Sequence, residues 1–124
     1  MNDPRSLPLR LGSTQRVVRS GEFTHLRNTG QRLAHGCLVL NWLRPELGKL
    51  SRLGVVTSRK LGGAVLRSRA RRLLREAFRR HQHQFQQPVT IILVARNSIV
   101  GKTYAEVERD YLQVLRRARL LPTA

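Results

Sequence analysis

The chain has 124 residues, 40% of them hydrophobic, and carries a net charge of +17 with a pI near 12. That length suits one small domain with a single core. The charge points to a polyanionic partner and excludes the balanced surface of an ordinary small-molecule enzyme. Twenty-one of the 24 basic residues are arginine, the side chain best shaped for bidentate phosphate contacts and for stacking on bases. No apolar run reaches the roughly 18 residues of a spanning helix, and the first dozen residues hold no signal-peptide core, so no membrane role is expected. One cysteine, Cys37, precludes an internal disulfide and suits a reducing, cytoplasmic setting.

Residues 1–15 hold two prolines and no clear period, and read as a basic arm. Residues 16–119 read as one domain and 120–124 as a tail. Ser20 is placed to cap a short helix, Gly21 to Asn28, with Glu22 in its first turn and Gly30 as its stop. Phe23 on that helix reads either as core or as a platform for a base. A short extra strand fits near Gln31 to Ala34. Leu38 to Leu43 reads as a strand ended by Arg44-Pro45. The loop containing Gly48 then leads to a second strand, about Leu53 to Ser58, and the pair is expected to form an antiparallel hairpin.

Between Arg52 and Arg80 lie ten basic residues and one acid, Glu76. After Gly62-Gly63 the period becomes helical: Leu66, Ala70, Leu73, Leu74 and Ala77 form one apolar stripe of a helix running to Arg80. Arg71, Arg75 and Arg79 line the opposite side, with Arg69 and Arg72 beside them. This helix is ill suited to an isolated protein. Arg67 and Arg69 lie near its positive dipole end, and arginines four apart repel. Its glycine-flanked start offers free backbone N–H groups to a phosphate.

His81 to Gln87 reads as a polar connection. Val89 to Ala95, introduced by Pro88, is the most apolar run and the expected central strand. Thr103 and Glu106 fit a capping box opening a final helix to about Arg119, with acids near its start and arginines near its end. The elements therefore predict an α+β fold with helices packed on a small sheet.

No catalytic site assembles from these residues. Glu108 and Asp110 do not share a helical face, so they make a poor acid–base pair. His81 and His83 have no cysteine or carboxylate nearby in sequence to complete a zinc site. Cys37 reads as a core thiol, and no phosphate-loop pattern surrounds Lys60. Among nucleic acids, folded RNA fits better than DNA, since no zinc-finger spacing or zipper heptad occurs.

The run from Lys60 to Phe78, K-L-G-G-A-V-L-R-S-R-A-R-R-L-L-R-E-A-F, closely resembles the signature of the bacterial ribonuclease P protein family, K-x-G-x-A-V-x-R-N-R-x-K-R-x-x-R-E-x-F. The flanking order is similar over about Arg16 to Leu115. The resemblance implies a small mixed sheet like the second domain of ribosomal protein S5, with a left-handed crossover around the arginine-rich helix. It implies a subunit that binds the catalytic RNA and removes nothing itself: the RNA uses magnesium to cleave the 5′ leader from precursor tRNA, and the protein holds no cofactor. By position, Arg59, Lys60, Arg67, Ser68, Arg69, Arg71, Arg72 and Arg75 would contact RNA. Phe23, Arg27, Val39, Asn41 and Arg96 would line a leader cleft. Ser68 stands where the family has Asn, and Arg27 and Asn41 stand where aromatic residues are usual. A ribosomal RNA-binding protein and an autonomous nuclease are the rival readings.

Overall fold

The computed structural model describes residues 30–43 and 51–122. The expected arm and the helix from Gly21 to Asn28 lie outside them. Four strands form one sheet: β1 (Gln31–His35), β2 (Leu38–Leu43), β3 (Arg52–Val56) and β4 (Thr90–Ala95). Two helices follow the strands they serve, α1 (Ala64–His81) after β3 and α2 (Tyr104–Arg117) after β4.

The strand order is β1-β2-β4-β3. The extra strand near Gln31 is present, and it is β1 that makes the hairpin with β2, through a turn at Gly36 and Cys37 with His35 opposite Leu38. This corrects the expected hairpin of β2 with β3. β4 inserts between them, antiparallel to β2 and parallel to β3. The reason is burial on both faces: Ile91, Ile92 and Leu93 are all but inaccessible, and only an interior strand can bury consecutive residues. β3 must then join β4 in parallel, which needs a crossover, and α1 supplies it.

Leu38, Leu40 and Trp42 of β2, Leu53 of β3, and Ile91, Leu93 and Ala95 of β4 face both helices. They pack against Ala70, Leu74, Ala77 and Phe78 of α1 and Val107, Tyr111, Val114 and Leu115 of α2. Alternation puts Val39, Asn41, Ile92 and Val94 on the other face, with Val39 opposite Val94 and Asn41 opposite Ile92. The stripe expected on α1 holds at Ala70, Leu74 and Ala77. Leu66, one turn earlier, remains 40% exposed because it precedes the part of α1 that lies over the core.

The capping box at α2 is formed: Glu106 N donates to Thr103 Oγ1 at 3.2 Å, and Thr103 N donates to Glu106 Oε1 at 3.0 Å. The helix stops at Arg117. Arg119 takes a left-handed φ of 61°, and Leu120 N donates back to Leu115 O at 2.9 Å. That turn folds Leu120 and Leu121 into the core, so the domain extends past the expected boundary at residue 119.

Candidate nucleic-acid interface

Gly62 has φ 139°, and a side chain there would collide with Leu66, which lies back over it. Gly63 then caps α1 in an extended conformation with no side-chain hydrogen bond, and no acid occupies the first turn. The first bond of the helix is Arg67 N to Gly63 O at 3.1 Å. The N–H groups of Ala64, Val65 and Leu66 precede it and have no partner within the helix.

The basic residues around α1 fall into three groups. Arg59 and Lys60, in a 3-10 turn just before the glycines, are exposed, as are Ser68, Arg72 and Arg75 on the outward side of α1. Arg67, Arg69 and Arg71 are half-buried on its flanks. Two of these are held by the fold. Arg71 Nη1 donates to Thr57 Oγ1 at 2.8 Å and its Nη2 to Ser68 Oγ at 3.1 Å, while Arg69 Nη2 donates to the Lys102 carbonyl at 2.9 Å. Arg67 Nε is buried without a hydrogen bond. The hydroxyl at position 68 thus supports a neighbouring arginine.

The C-terminal turn differs. Glu76 accepts from Arg79 Nε at 2.8 Å and from Arg80 Nε at 2.8 Å. The hydrogen bond from Arg79, helped by Arg80, holds the Glu76 carboxyl below its ordinary range. Arg80 also lies 4.9 Å over the Tyr104 ring. The helix is therefore electrostatically divided. Its cations are compensated at the end where the dipole welcomes them, and gathered without an acid at the end where it does not.

The expected leader-cleft residues occupy another place. Val39 is buried and Asn41 half-buried on the sheet face turned away from the helices, and Arg96 follows β4 and donates from Nη1 to Gly36 O at 3.2 Å. Phe23 and Arg27 lie outside the described residues. The two sets of expected contacts are thus separated by the sheet.

Sequence reasoning missed several partners. A carboxylate does stand beside His81, supplied by α2: His81 Nε2 is 2.8 Å from Glu108 Oε2, to which Tyr104 Oη also donates at 3.1 Å. Residues 27 positions apart left no local signal for this. Asp110, expected only to complement the helix dipole, is buried and accepts from Cys37 N at 3.0 Å. Burial, with Asp110 beside it, pushes the Cys37 thiol up to about 12, which suits a core thiol and not a nucleophile. Among the described residues, no three His, Cys, Asp or Glu side chains gather so as to hold a metal ion, and no helix is long and apolar enough to cross a membrane.

A mixed sheet whose crossover helix gathers arginines around a start with no side-chain cap and no acid defines an α+β protein with a strongly basic helix face. Comparisons refine that class. Residues 11–119 match the family Ribonuclease P. The ribonuclease P protein component of Syntrophomonas wolfei is 32% identical over 110 residues, covering 89% of this chain and 92% of that protein. The Staphylococcus aureus RNase P protein structure superposes with a TM-score of 0.79 at 27% identity, covering 87% of this chain and 98% of that one. The Thermotoga maritima RNase P protein gives 0.73 at 26%, covering 82% and 96%. The chain belongs to the ribonuclease P protein family.

Proposed function

We propose that this chain is the RNA-binding subunit that enables the catalytic RNA of ribonuclease P to cut the 5′ leader from precursor tRNA. The observation that carries the reading is the divided helix: Arg67, Arg69 and Arg71, two of them braced by hydrogen bonds, flank a helix start with no side-chain cap and no acid in its first turn. Such a surface grips phosphates at fixed positions and thereby supports a folded RNA. Arg59, Lys60, Ser68, Arg72 and Arg75 extend the same surface. Val39, Asn41 and Arg96 would hold the leader from the other side of the sheet, and Phe23 and Arg27, outside the described residues, complete the expected leader-binding set.

The chemistry is assigned to the RNA. Each described carboxylate already has a structural partner: Glu76 its arginines, Glu106 the α2 cap, Glu108 His81 and Tyr104, and Asp110 the Cys37 amide. In this reading magnesium belongs to the RNA, and the protein's contribution is neutralisation, leader binding and a lower magnesium requirement. The setting is cytoplasmic, and neither DNA nor a membrane is a partner.

Cleavage of 5′-labelled precursor tRNA at low magnesium tests this, with catalytic RNA alone, protein alone, and both. Cleavage at the mature 5′ end only in the mixture is expected. Activity of the protein alone would overturn the assignment of chemistry to RNA, and no stimulation would return the chain to general RNA binding.

A further inference from the structure

Beside the phosphate-binding end of α1 lies a slot that phosphate contacts do not explain. It is a cavity of about 270 Å³ lined by Leu66, Arg69, Ala70, Ile99, Val100 and Gly101, between α1 and the turn that follows β4. Among the described residues the exposed large hydrophobic side chains are Val65, at 82%, Leu66, at 40%, and Val100, at 43%. Two of these line the slot and the third adjoins Leu66 in sequence. Two of the three exposed large hydrophobics thus meet at the slot, in the most basic region of the chain.

Arg69 closes one wall, with its guanidinium fixed by the Lys102 carbonyl at 2.9 Å. A planar cation held in place stacks on a base while its charge faces phosphate. Gly101, at φ 85°, adds no side chain: a Cβ there would meet nothing within 4 Å, so the mouth stays open. An occupant must be apolar and flat where it enters, yet joined to something strongly anionic to approach this surface. An unpaired nucleobase on an RNA strand has both properties.

We propose that this slot binds one unstacked base of an RNA strand, against Leu66 and Val100 and beneath Arg69, while the neighbouring phosphates engage the start of α1. The protein would then read RNA through a base as well as through phosphates. This rests on the RNA-binding reading above.

The test compares a short single-stranded RNA with an abasic strand of the same length, over a range of salt. Leu66→Ser/Val100→Ser should weaken binding of the base-bearing strand about tenfold, the scale of one lost base contact. It should leave the abasic strand and the salt slope unchanged, because no phosphate contact is removed. Val100→Ser alone, at an exposed position away from the core, should show a smaller loss of the same kind. Equal loss on both strands, or none on either, overturns the proposal, the latter pointing to a protein ligand for the slot. Failure of the RNA-binding reading would show separately, as absence of stimulation of precursor tRNA cleavage by the unaltered chain.

Discussion

Arg71 of α1 donates to Thr57 Oγ1 at 2.8 Å, and so ties the arginine-rich helix to the chain leaving β3. The bond spends one nitrogen of the guanidinium on the fold and fixes its direction. Thr57→Val keeps the charge and removes the acceptor. Affinity for ribonuclease P RNA should fall about threefold, the scale of one net hydrogen bond, with an unchanged salt slope. Arg71→Ala should instead flatten the slope of log affinity against log salt by about 0.7–0.9. Titrations at several salt concentrations separate the two, and a changed slope in Thr57→Val would refute the positioning role.

The bare start of α1 should show opposed effects on stability and binding. Gly63→Asp places a carboxylate where the helix lacks both a side-chain cap and an acid, and should stabilise the fold by about 0.5–1 kcal/mol. The same carboxylate occupies the N–H groups proposed to meet phosphate, so RNA affinity should drop. Urea unfolding and RNA titration of one preparation check this. A variant gaining in both would show that phosphate does not bind there.

The buried Asp110 carboxylate lies directly against Gly36 in the turn between β1 and β2. Asp110→Ala leaves the buried Cys37 N–H without its acceptor and should cost about 1–3 kcal/mol. Gly36→Ala should also destabilise, since φ is 58° and the new methyl collides with the Asp110 carboxylate. Removing the carboxylate relieves that collision, so the double variant should lose less than the two losses combined. Strict additivity in urea unfolding would contradict the contact.

Acid should loosen the join between the helices. The hydrogen bond with His81, supported by that from Tyr104, holds the Glu108 carboxyl below its ordinary value of 4.5. A carboxylate with a depressed folded pKa contributes stability that is present above its unfolded value and lost as pH falls through the folded one. The advantage of the native chain over Glu108→Gln should therefore be full at neutral pH and shrink below about pH 4.5. An advantage that persists unchanged at pH 3 would argue against the clasp.

Much of the fold was legible because its signals are local. The 3.6-residue period announced α1, the doubly apolar run announced β4 as an interior strand, and Thr103 with Glu106 announced the start of α2. The concentration of arginine between Arg52 and Arg80 marked the most basic element of the chain before its surroundings were known. Each of these depends on residues within one or two turns of each other, where geometry is set by the backbone itself.

The strand order was another matter. Apolar strands pair with one another nearly interchangeably, so proximity in sequence suggested β2 with β3, and only the need to bury both faces of β4 placed it between them. Tertiary structure likewise decided which arginines are braced, by Thr57 and by the Lys102 carbonyl, and which point outward. It brought Glu108 to His81 across 27 positions and Asp110 to Cys37 across 73. By itself the sequence determined the elements and the chemical character of their surfaces, because neighbours along the chain dictate both. Partners between elements were decided by packing, where the free energy belongs to contacts that no local pattern records.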